Sequence, residues 1–145
     1  MQGMTFQDLP RNAKNLPLTD RQLAADVIDL IIKESERAAG CIGLMLCDDH
    51  DRGIQPVVVN DVPDDADLHT FGDLLDMVLP LVAERGGSIL VGRGRHRGRR
   101  PSDSDRAWHE VAIRACRRHG VRLLGFYLAT ADGVFPLPEP LQLVS

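Results

Sequence analysis

The side chains best able to do chemistry are gathered in one stretch of the chain. Residues 92–105 read GRGRHRGRRPSDSD. Arg93, Arg95, Arg97, Arg99 and Arg100 are interleaved with Gly92, Gly94, Gly98 and His96, and Pro101 leads into Ser102, Asp103, Ser104 and Asp105. Guanidinium groups bind phosphate through paired N–H donors, and arginine interleaved with glycine is typical of flexible nucleic-acid-binding segments. Backbone N–H groups freed at Gly92 and Gly94, next to a helix beginning at Ser102, would form a cradle for a phosphate or carboxylate. A histidine near an aspartate begins a metal-ligand set, although the guanidinium charges around His96 disfavour a dication. A plainer reading stands beside these. In it the loop is solvated and its arginines pair with Asp103, Asp105 and the acidic first half. Ser102 then serves as an N-cap and Asp105 as a first-turn acid that complements the helix dipole.

Charge along the chain is uneven. Residues 1–85 carry 7 Lys/Arg against 16 Asp/Glu, and residues 86–145 carry 10 Arg against 5 Asp/Glu, within a net charge of −4. The chain as a whole repels polyanions while one end is locally basic. Aromatic residues make up 4%, too few for the stacking platforms of single-strand binders. Cys41, Cys47 and Cys116 are scattered, without the paired spacing of a zinc site, and read as reduced thiols of a cytosolic chain. His50, His69, His109 and His119 fall in turns or helices with no ligand spacing, and no Ser/His/Asp or Cys/His arrangement is legible from their order. No apolar run approaches the length of a membrane span, and the first residues lack a signal peptide's apolar stretch.

The elements that must position this stretch follow from periodicity. At 145 residues one domain is expected, able to bury a core without staples. Residues 1–18 read as a flexible or loosely docked arm, and 19–145 as a single domain. Thr19 and Gln22 suggest a capping box opening a helix that carries Leu23, Val27, Leu30 and Ile31 and stops at Gly40. CIGLMLCD (41–48) and IQPVVVND (54–61) read as a strand pair, with Pro56 at a strand start or edge. Asp64 or Asp65 caps a second helix with Phe71, Leu74, Leu75, Val78 and Val82 on its apolar face and a kink near Pro80. SILV (88–91) is a buried strand. Ser102 or Ser104 caps a third helix with Trp108, Val111, Ala112, Ala115, Cys116 and His119 at helical spacing, ended by Gly120. VRLLGFYLAT, ADG and VFPLP close the chain as strand, turn and short strand.

That order, with a loop of this length after the central strand, resembles the JAB/MPN metalloprotease fold, and more closely its bacterial RadC-type branch. In that family the central strand ends in His-x-His, and Ser-x-x-Asp opens the next helix seven residues on. The two histidines and the aspartate hold zinc, and a glutamate elsewhere activates water. Here Gly92 and Gly94 stand at the two histidine positions, seven residues separate Gly94 from Ser102, and Asp105 completes Ser-x-x-Asp. Pro101 stands where RadC-type sequences tend to carry proline, and RRHGVRLLGFYLATADGVFPL is similar to the family's ending. The resemblance spans roughly residues 20–137 and lies in order and spacing. The glutamate's position falls on or near Gly40, with Glu36 a turn earlier. Ser102 and Asp105 are thus the remnants of the family's functional set.

The resemblance implies a JAB/MPN-like α/β fold, a mixed β-sheet sandwiched by three helices. It also implies a non-catalytic interaction or regulatory module, since one aspartate cannot supply the three protein ligands of a zinc hydrolase. No cofactor is expected, zinc belonging to the active relatives. The expected partner is a protein, with weak nucleic-acid or other anion contact through Arg93, Arg95, His96, Arg97, Arg99 and Arg100. A homodimer is compatible with the sequence, a membrane partner is not expected, and the location is cytoplasmic. The alternative is a JAB-type hydrolase with a new site, or a RadC-like DNA-repair-associated protein that uses the arginine loop.

Overall fold

A computed structural model describes residues 16–139. The chain order is α1 (Arg21–Ile31), α2 (Glu34–Arg37), β1 (Cys41–Cys47), β2 (Gly53–Asn60), α3 (Leu68–Glu84), β3 (Ser88–Gly94), α4 (Asp103–His119), β4 (Arg122–Thr130) and β5 (Gly133–Pro136). The five strands form one mixed sheet in the order β2-β1-β3-β4-β5. Only β3 and β4 run parallel, and α4 makes the crossover between them. The expected strands over 41–47, 54–60, 88–91 and 121–129 thus share one sheet with β3 at its centre.

Two apolar layers cover the sheet, and strand alternation assigns residues to them. Ile42 and Leu44 of β1, Ile89 and Val91 of β3, and Phe126 and Leu128 of β4 pack with α3 and α4. Their neighbours Cys41, Met45, Leu90, Tyr127 and Ala129 pack instead with Ala24, Val27, Ile28 and Ile32 around α1. β3 is buried along its whole length. β2, at the edge, is largely exposed and contains Pro56, as a strand with one unpaired side tolerates.

The helix boundaries correct several expectations. Asp20, not Thr19, caps α1, its carboxylate accepting the N–H groups of Gln22 and Leu23. Asp67, not Asp64 or Asp65, caps α3 through the N–H of His69. The first helix does not run to Gly40; it ends at Ile31, and Ile32 is extended. The cause lies downstream. Arg37, 2% exposed, turns back over the broken end and donates to the carbonyls of Ile32 (2.8 Å), Asp29 (3.3 Å) and Thr130 (3.0 Å) and to the Asp29 carboxylate (2.8 Å). One guanidinium thereby satisfies carbonyls that a helix end leaves orphaned and ties them to β4. α3 continues through Pro80 to Glu84, the missing N–H falling on an exposed side of the helix. Of the arm assigned to 1–18, residues 1–15 lie outside the described residues, as do 140–145. Leu18 is 3% exposed and its N–H donates to Asp51 (2.8 Å), so the packed unit begins before residue 19.

Candidate functional site: an arginine–aspartate cluster under a basic loop

β3 extends three residues beyond SILV, and this extension decides the site. Gly92, Arg93 and Gly94 lie within the sheet, paired to Gly43, Ile42 and Cys41 of β1 and to Tyr127, Leu128 and Ala129 of β4. With neighbours on both sides, their backbone is committed to the ladder. The expected anion cradle at Gly92 and Gly94 is therefore overturned.

Alternation separates the motif positions. Gly92 and Gly94 face α1. A Cβ on Gly92 would lie 2.8 Å from Ile32 and 2.9 Å from Ile28, and one on Gly94 would overlap Cys41 Sγ. Arg93 follows Ile89 and Val91 on the opposite face, towards α4. The structure thus does not bring Gly92 and Gly94 together with Asp105. The side chains that reach Asp105 are Arg93 and Arg95.

Asp105 is fully buried. Its Oδ1 accepts from Arg93 Nη1 (2.9 Å) and its Oδ2 from Arg95 Nε (3.1 Å). Oδ2 also accepts the Ser102 N–H (2.8 Å), while Ser102 Oγ accepts the Asp105 N–H (3.1 Å). This reciprocal pair is a capping box, so Ser102 is the N-cap of α4. The Arg93 side chain is 3% exposed. It also donates to Ser104 Oγ (3.0 Å) and the Asp64 carbonyl (3.2 Å), and its Cζ lies 4.6 Å from the centroid of the Trp108 ring. Phe71 stacks on the same indole at 4.7 Å. Burial draws the Arg93 guanidinium below its ordinary value, and the charges of Asp105 and Asp64 oppose that. A buried ion pair survives when its remaining donors and acceptors are satisfied, and here they are.

Arg95 connects this cluster to the surface. Its guanidinium donates to the carbonyls of Arg97 and Arg100, the latter at 2.7 Å. The Gly98 N–H donates to Asp132 (2.8 Å), Thr130 Oγ1 to the Gly98 carbonyl (3.0 Å), and the Ala131 N–H to the His96 carbonyl (3.2 Å). The loop is therefore held at several points. His96, Arg97, Arg99 and Arg100 remain exposed on it. Of the six expected anion contacts, Arg93 is withdrawn into the core and Arg95 is occupied within the protein. Arg97, Arg99 and Arg100 form no ion pair among the described residues, which corrects the expectation of an internally paired loop at these positions.

The zinc site of the family does not fit these residues. Asp105 spends its oxygens on two guanidiniums and a backbone N–H, and the two glycine positions look the other way. Gly40, at the expected glutamate position, has φ +87° and lies against the Val62 carbonyl where a side chain would begin. Its own carbonyl accepts the Val62 N–H (2.9 Å). His96 is exposed, with Nε2 3.1 Å from an Arg97 nitrogen. The cysteines are buried, and burial pushes the Cys47 and Cys116 thiols up to about 12, away from nucleophile chemistry. His109, read from the sequence only as a helix or turn residue, is buried on α4 beside the Phe126 ring at 5.1 Å. The pairing of loop arginines with Asp105 expected in the plainer reading holds for Arg93 and Arg95; that reading lacked the burial of Arg93 and Asp105, which the alternation Ile89, Val91, Arg93 signalled.

No family model, curated protein or solved structure matches this chain. No described helix is long and apolar enough to cross a membrane.

Proposed function

We propose that this chain is a non-catalytic domain of JAB/MPN type, closest to the RadC branch, acting as an interaction or regulatory module. The order helix, hairpin, helix, strand, helix, hairpin supports the kinship, as does a Ser-x-x-Asp capping box opening the helix after the central strand. The observation that carries the non-catalytic reading is the state of Asp105. The carboxylate that would ligate zinc in an active relative is instead the buried counter-ion of Arg93 and Arg95. A cation cannot approach it without displacing two guanidiniums, so no hydrolytic step is derived through a metal here. Two exposed features suit a module that binds rather than reacts. One is the basic loop. The other is the edge strand β2, with no charged residue in GIQPVVVN and with Ile54, Val58 and Val59 exposed.

Zinc titration of the purified chain, followed by metal analysis and a peptide-hydrolysis assay, tests the reading. The expected result is no stoichiometric zinc and no hydrolysis. About one zinc per chain, lost in Asp105→Ala and accompanied by hydrolysis, overturns it.

A further inference from the structure

We propose that the loop from His96 to Arg100 is a contact surface for the phosphate backbone of a nucleic-acid duplex. This rests on the reading of the domain as an interaction module and names one partner of it. The first ground is charge without a counter-charge. Arg97, Arg99 and Arg100 are exposed and form no ion pair among the described residues. The two carboxylates bordering the loop are engaged, Asp103 with Arg106 (3.1 Å) and Asp132 with the Gly98 N–H (2.8 Å).

The second ground is preorganisation. A Gly/Arg segment left free would lose conformational entropy on binding. Here Arg95, itself anchored on buried Asp105, holds the carbonyls of Arg97 and Arg100. Asp132 and Thr130 hold Gly98 on its N–H and carbonyl sides. The arginines that left the solvent thus set the shape from which the exposed ones project, and most of the ordering has already occurred in the free protein.

The third ground selects the ligand. Single-strand binders stack bases on open aromatic faces. The aromatic ring that contacts the loop, Phe135, has the Arg99 guanidinium 5.6 Å from its centroid. A duplex keeps its bases stacked inside and presents phosphates, which arginines contact without reading sequence. An acidic peptide offers similar charge but has to be ordered on binding, so it serves as a competing ligand in the test. The excess acid of residues 1–85 opposes polyanion contact by the first half of the chain and favours approach from the loop side.

Three exposed arginines imply about three released counterions, and so a fall of roughly 40-fold in affinity from about 50 to about 200 mM salt. The experiment is fluorescence anisotropy of the full chain against a labelled mixed-sequence duplex, one of its single strands, and a poly-glutamate peptide, at both salts. It is repeated with the R97A/R99A/R100A variant, whose folding is checked by thermal melting. We expect the duplex to bind best, the affinity to fall with salt as stated, and the folded variant to lose at least about tenfold. No duplex binding at low salt, binding unchanged in the folded variant, or tighter binding of the single strand or poly-glutamate overturns the proposal. Zinc titration tests the underlying reading on Asp105, so each can fail without the other.

Discussion

Arg93 and Arg99 stand six positions apart in one nonapeptide and have opposite physical fates. Arg93 is enclosed by Asp105, Ser104, the Asp64 carbonyl and Trp108. Arg99 stays in solvent, its guanidinium over the Phe135 ring at 5.6 Å from the centroid. Residue type is the same, so the difference comes from where the sheet ends. While the chain is in β3, every second side chain must enter the layer beneath α3 and α4, and a guanidinium carried there requires a carboxylate. Past Gly94 the chain leaves the ladder; Arg95 still turns back to Asp105, and from His96 on the side chains return to water. A run of arginines is therefore a surface feature only beyond the last paired residue.

The same division separates two histidines. His96 is exposed on the loop, while His109 is buried on α4 with Phe126. The Gly92/Gly94 pair marks a third contrast, between the faces of one strand. On the α4 side β3 carries a long charged side chain, and on the α1 side it carries none, so that Ile28 and Ile32 can close onto the strand.

The sharpest way to break the comparison is Asp105→Asn. It leaves two guanidiniums facing each other without a charge between them and weakens the α4 cap. Removing one partner of a buried pair costs about 3–5 kcal/mol, to be read from urea unfolding. A loss under about 1 kcal/mol, the range of exposed pairs, would place Arg93 with Arg99 after all. Next is Gly92→His with Gly94→His, which puts histidines at the His-x-His spacing that the sequence resembles. Because both side chains would enter the α1 layer, we expect a loss of about 1–3 kcal/mol from overpacking and no gain in zinc affinity. Calorimetry that found new zinc binding would mean the two glycines face Asp105.

A smaller effect follows from His109. Burial holds its imidazole below the ordinary 6.5, with Glu110 and Glu139 opposing. The unfolded chain therefore takes up this proton at higher pH than the folded one. His109's contribution to stability is full above about pH 6.5, the unfolded chain's value, and is lost as pH falls from there through the lower folded value. Melting temperature measured across this window should decline on the acid side, and His109→Gln should flatten that decline. The smallest expected effect is on stability in R97A/R99A/R100A, within about 0.5 kcal/mol of the unsubstituted chain. A larger loss would show that the exposed arginines share the structural work of Arg93 and Arg95.

Much of this molecule was legible in the order of its residues. The short apolar runs CIGLMLC and SILV, helical spacing in Phe71–Val82 and Trp108–Cys116, the αL stop at Gly120 and the Ser102 cap all act between residues close in the chain. Local periodicity records such interactions directly. The α/β class follows from them; the central place of β3 is fixed by the tertiary strand order. Helix starts at Asp20 and Asp67 were misplaced by one to three residues because several capping side chains stand in a row there and only one can point at the first free N–H groups. The break at Ile32 was hidden because its cause, Arg37 reaching Thr130, spans the sheet.

The site divides along the same line. Sequence by itself determined that a strand would meet a glycine–arginine loop and that Ser102 and Asp105 would open a helix. It did not determine how far the strand would run. That depended on β1 and β4 offering partners as far as Gly94, and three more paired positions were enough to assign Gly92 and Gly94 to one face and Arg93 to the other. Spacing along a chain counts residues, whereas a site needs directions, and in a sheet direction reverses with every residue. A spacing in the sequence that resembles a metal-ligand set therefore did not make one, because tertiary pairing directed the two glycines to α1 and left Asp105 to two arginines.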